Sequence, residues 1–422
     1  MGRSLFSQRD HCPVNSSILE TKIRTRIRSE GRITFAEFME TVLYDPEDGY
    51  YAATARVSES GDFFTSPSAH PAFGALICVQ LHEMWRVLGS PAEFAVIEYG
   101  AGSGVLASDI QAHASRFESG FDRAMTYTAL DRASAAPMDH TLDAVGCVIS
   151  NELLDAFPAH RFVVTDGTVK ELWVVERDGV LTEEPGQLSH PAIGDRLEPL
   201  RPGLPDGYTS EVNLGLGPWA ESVSRNIRKG FVLTIDYGYP SRQYYSRERT
   251  RGTLRCYYRH TLNANPFQHI GQQDLSVHVD FTALDEALSD VGFSAVGITV
   301  QADFLARLGI REFRKQLDSS GNPRRKVAAN RMAIDQILRR DGLGAFKVAI
   351  HSKAVDCPRL TGLASTESGE PAAPAPSPPL PLLDDDPRRV RLFEGAYPQA
   401  TEFTGTWDEL LGVDAVGEDP EE

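Results

Sequence analysis

Paired cysteines and long apolar runs are both absent from this sequence. Its five cysteines are far apart and include no C-x-x-C pair, so they indicate neither a zinc site nor a disulfide framework. Isolated thiols are typical of proteins in a reducing compartment. A membrane-spanning helix needs about 18 consecutive apolar residues, and no such run occurs. The N-terminus also lacks the apolar segment of a secretory signal and the amphipathic pattern of a transit peptide.

Positive charge is also scarce. The chain has 42 Lys and Arg against 59 Asp and Glu, a formal net charge of −17, which argues against binding nucleic acid through its phosphates. The charge is uneven, because 14 acidic residues but only 4 arginines lie from Arg359 onward. Two apolar islands in this acidic tail, 391–397 and 407–413, predict a segment that binds a partner. A disordered solubilising tail is the open alternative.

The most informative motif is an apolar run that ends in an acid and then in alternating glycines. Residues 96–104 read Val-Ile-Glu-Tyr-Gly-Ala-Gly-Ser-Gly. A short apolar run is typical of a buried parallel strand, and glycines let the backbone turn tightly against a ligand. The residues from Val105 onward have a helical pattern. A strand, a glycine turn and a helix N-terminus together predict a site for a nucleotide or nucleoside cofactor.

The glycine turn alone does not specify the cofactor. Gly102 and Gly104, with Ala107, also satisfy the dinucleotide fingerprint. However, the next acid at a strand end, Asp131, comes 27 residues after Gly104, whereas a dinucleotide site expects its ribose-binding acid about 20 residues on. Glu98 precedes Gly100, where it can hold an ammonium group or a water. This arrangement favours S-adenosylmethionine over NAD, with Asp131 on the ribose hydroxyls.

A second group of polar residues follows another apolar strand. Residues 147–150 lead into Asn151-Glu152-Leu-Leu-Asp155, and the carboxyl ends of strands in an open α/β sheet face one crevice. A helix N-cap explains one such residue but not three. Two carboxylates can hold the fork of a guanidinium and orient one nitrogen towards a methyl donor. Glu152 and Asp155 are therefore the candidate catalytic residues, and one of them would take the departing proton.

The alternation of apolar runs and amphipathic segments predicts a doubly wound α/β sheet. The chain is predicted to contain a disordered N-terminus (1–16), a helical region (17–91), a catalytic domain (92–357), a Pro-rich linker (358–390) and an acidic tail (391–422). The segment 239–280 is predicted to be an insertion over the active site. Within it, His278 and Asp280 form an alternating pair predicted to face the substrate. The predicted strands are 94–99, 126–131, 146–150, 231–237, 292–300 and 345–352, and a long amphipathic helix is predicted over 68–88.

Several of these motifs, taken in order, resemble the MidA family. They are Gly61-Asp62-Phe-Phe-Thr65-Ser66-Pro67, the glycine turn at 98–104, Asn151-Glu152-Leu-Leu-Asp155, Asp236-Tyr237-Gly238 and Val279-Asp280-Phe281. The resemblance covers roughly residues 18–355. It implies a Rossmann-like class I methyltransferase fold, S-adenosyl-L-methionine as donor and a protein arginine as acceptor. The mitochondrial members of the family are arginine methyltransferases that assist assembly of respiratory complex I.

The resemblance also implies roles for individual positions. It places near the cofactor the residues Gly61, Asp62, Thr65, Ser66, Glu98, Gly100, Gly102, Gly104, Asp131 and Asn151. Asp236 and Tyr237 join His278 and Asp280 on the substrate side. Two features depart from the family pattern: the acidic tail, and a segment 132–145 too short for the strand and helix that usually flank the adenine.

These observations predict a bacterial cytoplasmic enzyme, with the mitochondrial matrix as the alternative location. The predicted partners are a protein substrate that presents an arginine and a binding protein for the acidic tail, and a homodimer is left open. Neither nucleic acid, a membrane span nor a metal is predicted. The shortened 132–145 segment and the tail leave a second interpretation open, in which the chain is a non-catalytic relative that binds the cofactor and acts as an assembly factor.

Overall fold

The structure is a computed structural model that describes residues 18–52, 65–131, 142–200, 203–258, 261–317, 321–364, 378–383, 386 and 388–389. The predictions for residues 1–16, for Gly61 and Asp62, for most of the short segment 132–145 and for the acidic tail lie outside these residues. Among the helices in the described ranges, none is both long and apolar enough to cross a membrane.

Strands and helices alternate along most of the described chain. The strands are β1 (Ile33–Thr34), β2 (Phe94–Tyr99), β3 (Met125–Leu130), β4 (Ala144–Asn151), β5 (His160–Thr165), β6 (Thr168–Arg177), β7 (Val180–Gly186), β8 (Thr209–Val212), β9 (Ile227–Asp236), β10 (Gly238–Tyr239), β11 (Arg255–Tyr258), β12 (Thr261–Asn263), β13 (Asp274–Ser276), β14 (Val279–Asp280), β15 (Ser294–Val300) and β16 (Lys347–Lys353). The helices are α1 (Ile18–Glu30), α2 (Phe35–Tyr44), α3 (Ser66–Ala69), α4 (Ala72–Val87), α5 (Val105–Ala114), α6 (Phe121–Ala124), α7 (Pro191–Leu197), α8 (Leu216–Asn226), α9 (Ser241–Tyr244), α10 (Phe281–Asp290), α11 (Gln301–Arg307), α12 (Ile310–Gln316) and α13 (Arg324–Leu338).

A six-stranded sheet forms the centre of the molecule. Its strand order is β15-β16-β9-β4-β2-β3. β3, β2, β4 and β9 pair in parallel, whereas β16 runs antiparallel to both of its neighbours. Each strand of this sheet overlaps one of the six predicted strands. The predicted α/β fold is therefore confirmed, and within the described ranges β3 forms one edge of the sheet.

Helices cover both faces of the central sheet because successive strand residues point to opposite sides. On β2, Val96 belongs to an apolar core with α4, α5, α11 and α13. Its neighbour Ile97 belongs to a second core with α8 and α10. Burying one such side chain contributes roughly 1.5–3 kcal/mol. The two cores hold the sheet rigid, so the ends of its strands are fixed relative to one another.

The helix predicted over 68–88 is instead two helices. α3 ends before His70, whose backbone is extended, and α4 begins after Pro71. A proline ring is incompatible with the interior of a helix because it lacks an N–H and clashes with the preceding turn. α3 is capped by Thr65 at its N-terminus, and its first residue, Ser66, donates to Glu152 at the carboxyl edge of the central sheet.

A second sheet lies outside the predicted strands. Its order is β1-β6-β5-β8, and β7 pairs with β6. β1 belongs to the N-terminal region and pairs with β6 through Ile33 and Val174. A capping box formed by Thr34 and Glu37 starts α2. Helices α1 and α2 pack on this sheet and on Leu275 of β13, so they share one core with residues much later in the chain.

The linker predicted over 358–390 is in contact with the domain wherever the structure describes it. Leu360 belongs to the core on the α4 side, and Leu363, Leu380 and Leu382 pack against that core. The Pro-rich composition predicts extended backbone, but regularly placed leucines still let an extended segment bury apolar surface. The described part of the predicted linker therefore packs against the domain through these leucines.

Candidate active site

Polar residues end or follow four neighbouring strands at one edge of the central sheet. Glu98 lies near the end of β2, Asp131 follows β3, Asn151 ends β4 and Asp236 ends β9. The parallel pairing of these strands puts their carboxyl ends side by side. Ligands bind at this edge in open α/β sheets, so the topology brings the two predicted groups of residues into one crevice.

The glycine turn after β2 has a conformation that favours glycine. Gly100, Gly102 and Gly104 have φ values of 75°, 50° and 70°, in the left-handed region that other residues avoid. A Cβ on Gly100 would lie 2.8 Å from Leu153 Cδ1, whereas one on Gly102 or Gly104 would meet no atom of the described residues within 4 Å. Gly100 thus allows close packing against the next loop, and the other two leave open space for a ligand.

Two acids flank the glycine turn. The Gly102 N–H donates a hydrogen bond to Asp131 Oδ2 at 3.0 Å, so this carboxylate lies directly beside the turn. Glu98 is buried and accepts a hydrogen bond of 2.8 Å from the Tyr127 hydroxyl. Burial, together with the charge of Asp131, raises the pKa of Glu98 to about 7. Sequence reasoning missed Tyr127, although its position on the strand that leads to Asp131 was a usable signal.

The loop after β4 holds Glu152 in a strained conformation. Glu152 has φ 51°, a value that is uncommon for a residue other than glycine and typical of functional sites. Its N–H donates to the carbonyl of Ile235 at 2.9 Å. Asp236 accepts hydrogen bonds from the N–H groups of Leu153 and Leu154 at 3.3 and 3.0 Å. The buried end of β9 therefore fixes the loop that carries the candidate catalytic residues.

The Glu152 carboxyl links this loop to α3. Its Oε1 accepts hydrogen bonds from the Ser66 N–H at 3.4 Å and from Asn151 Nδ2 at 3.3 Å. Desolvation and the nearby Asp155 carboxyl raise the pKa of Glu152 to about 8. Thr65, the residue before Ser66, is the N-cap of α3. The structure thus brings Ser66, Asn151 and Glu152 together, and Thr65 stands at the edge of the same group.

Asp155 lies in a buried group that includes two hydroxyls. The Tyr237 hydroxyl lies 2.6 Å from Asp155 Oδ2, to which it donates, and 2.6 Å from Ser276 Oγ. Burial raises the pKa of Asp155 to about 6. Its other oxygen, Oδ1, has no hydrogen-bond partner among the described residues, and neither has Asn151 Oδ1. Buried acceptors of this kind are the groups that a bound ligand satisfies. Ser276 was not predicted, because only the fold brings it to Tyr237.

His278 and Asp280, which were also predicted to face the substrate, have different surroundings from each other. His278 is buried, and its ring lies 5.0 Å from that of Tyr237, centroid to centroid. Asp280 instead caps α10, accepts a hydrogen bond from Ser241 and forms an ion pair with Arg196. Both residues line a cavity of about 310 Å³ whose lining does not include Glu152 or Asp155. Asp236 has the loop-holding contacts described above, and burial and the neighbouring Asp155 and Glu152 carboxyls raise its pKa.

The sheet, its glycine turn and the acids beside that turn define an enzyme of the α/β class that uses a nucleoside cofactor. Residues 76–299, more than half of the chain, match Methyltransf_28, the family model for S-adenosyl-L-methionine-dependent methyltransferases. The chain belongs to this family, whose members are MidA-like methyltransferases, and its cofactor is S-adenosyl-L-methionine. The described residues fit that cofactor, because two open glycines and Asn151 Oδ1, which has no hydrogen-bond partner among them, lie at the carboxyl edge, where open α/β sheets bind ligands.

Similar proteins extend over most of the chain. A relative from Drosophila melanogaster, "Protein arginine methyltransferase NDUFAF7 homolog, mitochondrial", is 28% identical over 62% of this chain and 68% of its own length. The Rattus norvegicus protein arginine methyltransferase NDUFAF7 is 26% identical over 71% of this chain and 76% of its own length. A COG1565 superfamily member from Burkholderia thailandensis, crystallised with S-adenosyl-homocysteine, has 28% identity and a TM-score of 0.73 over 82% of this chain and 94% of its own.

Proposed function

We propose that this enzyme transfers a methyl group to an arginine side chain of a protein substrate. The observation that carries the proposal is the pair of desolvated carboxyls, Glu152 and Asp155, in a loop at the cofactor edge of the sheet. The names of the similar mitochondrial proteins support an arginine acceptor. We propose a bacterial cytoplasmic setting, with the mitochondrial matrix as the alternative because those relatives are mitochondrial.

The two carboxyls suit a guanidinium for an electrostatic reason. A guanidinium remains charged at any physiological pH, with a pKa above about 12, and a nearby cation lowers the pKa of a carboxyl. Binding of the acceptor therefore favours the ionised forms of Glu152 and Asp155. Held by both groups, the guanidinium presents one nitrogen in a fixed direction, and positioning supplies much of the rate of a displacement. Glu152 takes the proton that the methylated nitrogen releases, while Tyr237 orients Asp155.

Other residues of the edge are proposed to hold the cofactor, which when bound supplies an electrophilic methyl on its sulfonium. Gly100, Gly102 and Gly104 shape the turn, and Asp131 accepts hydrogen bonds from the ribose hydroxyls. Glu98 and Asn151 face its amino-acid end, and Thr65 and Ser66 cover it, with Gly61 and Asp62 as predicted neighbours. On the acceptor side we propose Tyr237 and His278. On the same side, Asp236 holds the loop that carries Glu152 and Asp155. Asp280 lines the adjoining cavity.

Replacing Asp131 by Asn is expected to weaken cofactor binding about tenfold or more, because a hydrogen bond to a charged group contributes about 1.5–3 kcal/mol. Asn keeps an acceptor for the Gly102 N–H but loses the negative charge. Calorimetric titration with S-adenosyl-L-homocysteine measures the change. Asp178→Asn, in an exposed turn, is the matched control. Unaltered affinity in Asp131→Asn would remove this residue from the cofactor site.

The pH dependence of kcat/KM follows from the raised pKa values. Since the pKa is raised to about 6 for Asp155 and about 8 for Glu152, both groups are protonated at low pH. We therefore expect kcat/KM to rise with pH through this range, as it reports the free enzyme. Tyr237→Phe removes the hydrogen bond that lowers the pKa of Asp155, so the lower inflection moves to higher pH. A flat profile between these pKa values would contradict the assignment.

Two peptides that differ only in Arg or Lys at one position test the acceptor class directly. The enzyme is incubated with labelled S-adenosylmethionine and a library of such pairs. We expect label in the arginine peptides, because a planar fork fits two carboxylates and a single ammonium does not. Preferential labelling of the lysine peptides would refute the proposal and leave the methyltransferase assignment intact.

A further inference from the structure

Two adjacent arginines near the C-terminus contact the cofactor side of the domain. Arg389 is only 5% exposed and donates to both oxygens of Asp109, at 2.5 and 3.1 Å. It also donates to the carbonyl of Pro67 at 3.0 Å. Arg388 donates to the carbonyl of Ser103 at 3.3 Å. A guanidinium that engages a buried carboxylate through two bonds fixes the relative position of the two groups.

Outside their own segment, these arginines contact three groups in or next to the elements that form the candidate cofactor site. Ser103 is part of the glycine turn, and Asp109 lies on α5, the helix that begins directly after it. Pro67 lies in α3 beside Ser66, whose N–H donates to Glu152. The two arginines therefore connect the turn and its helix with the segment that contacts the candidate catalytic carboxyl. None of these contacts belongs to the reaction described above.

The segment that carries the arginines is itself fixed upstream. Leu380 and Leu382 pack against the core on the α4 side. The Leu383 N–H donates to Asn330 Oδ1 at 2.8 Å, and Asn330 is fully buried on α13. Asp386 holds the Arg388 guanidinium at 2.6 Å. The described residues 378–383, 386 and 388–389, which we name the C-terminal clamp, thus have contacts at both ends.

We propose that Arg388 and Arg389 are positioning residues for the S-adenosylmethionine site, and that the C-terminal clamp holds the glycine turn and α3 at the spacing that the cofactor needs. Among the described residues, a Cβ on Gly102 or Gly104 would meet no atom within 4 Å, so none of those residues packs closely against that side of the turn. A ligand binds more tightly to a site that is already in its bound geometry. The proposal does not depend on the identity of the methyl acceptor.

The test compares cofactor binding with turnover in the full-length chain. We expect Arg389→Ala to raise both the Kd of S-adenosylhomocysteine and the KM of S-adenosylmethionine about tenfold, equivalent to about 1.4 kcal/mol. At saturating cofactor, kcat is expected to stay within about threefold, because the bound cofactor then organises the turn. Arg389→Lys keeps the charge but loses the fork, so it is expected to give an intermediate Kd. Arg325→Ala, an exposed arginine of α13, is the control.

A purely structural role gives a different result. If Arg389→Ala lowers the melting temperature and kcat but keeps Kd and KM within about twofold of the parent, the proposal is overturned. If that variant does not fold, Arg388→Gln decides, because its side chain is 35% exposed and outside the core. A Kd raised about threefold in Arg388→Gln supports the clamp, and an unaltered Kd refutes it. The Kd measurements use cofactor binding alone, so a failure of arginine methylation leaves them unaffected.

Discussion

Glu152→Gln is expected to lower the rate of methyl transfer about 10²–10⁴-fold, the contribution that a positioned proton acceptor makes. The amide keeps the size of the carboxyl and an oxygen that accepts from Ser66 N–H and Asn151 Nδ2, as Glu152 Oε1 does at 3.4 and 3.3 Å. It loses the charge that pairs with a guanidinium and the basic oxygen that takes a proton. The substitution therefore separates chemistry from local structure.

Cofactor binding is the internal control for Glu152→Gln. Calorimetry with S-adenosylhomocysteine is expected to give a Kd within about threefold of the parent, since the glycine turn and Asp131 are untouched. Glu312→Gln changes an exposed carboxyl and is expected to leave both the rate and the Kd unaltered. A parental rate in Glu152→Gln would mean that this carboxyl has no part in the reaction.

Asp236→Ala is expected to cost about 3–5 kcal/mol of unfolding free energy, because it leaves several backbone donors of the active-site loop without an acceptor. The Asp236 carboxyl accepts hydrogen bonds from the backbone of Leu153, Leu154 and Asp155, at 3.3, 3.0 and 3.4 Å, and from Tyr237 at 2.9 Å. Alanine leaves these buried donors without their acceptor, and each such group costs about 1–3 kcal/mol.

The same substitution tests how the active-site loop is held. Without Asp236, the residues that follow the strained Glu152 lose their acceptor, so we expect activity to fall at temperatures where the protein is still folded. Urea unfolding measures the free energy, and Asp236→Asn, which keeps the shape, is expected to lose less. Asp195→Ala, at an exposed position of α7, is the control. A loss below about 1 kcal/mol in Asp236→Ala would show that other contacts hold the loop.

The inner strands of the central sheet could be predicted because they are buried on both faces. Residues 94–99 and 146–150 are apolar runs with acids or glycines at their ends, and such runs are typical of parallel strands. The second sheet has no such signal. Thr168–Arg177 of β6 alternates irregularly between buried and exposed positions, and its partner β1 belongs to the N-terminal region. Long-range pairing of this kind is not visible in local periodicity.

The candidate site was predictable where one strand end determined it, and unpredictable where distant segments meet. The Asn151-Glu152-Asp155 motif follows directly from its strand, so its place at the sheet edge was expected. Asp236 was predicted on the substrate side, but its hydrogen bonds to a loop about eighty residues earlier depend on the tertiary fold. Asp280 ends β14, in line with its strand spacing, but its side chain caps α10. The composition of the Pro-rich segment likewise gave no sign that Arg389 is buried against Asp109.

The most direct test of the central claim is the location of the transferred methyl group. The parent enzyme and Glu152→Gln are each incubated with labelled S-adenosylmethionine and a cell lysate, and the labelled band is analysed by mass spectrometry. We predict that the parent places the label on a guanidinium nitrogen of arginine and that Glu152→Gln leaves the same protein unlabelled. Label on another residue type, or equal labelling by both enzymes, would contradict the claim that Glu152 and Asp155 hold an arginine for methylation.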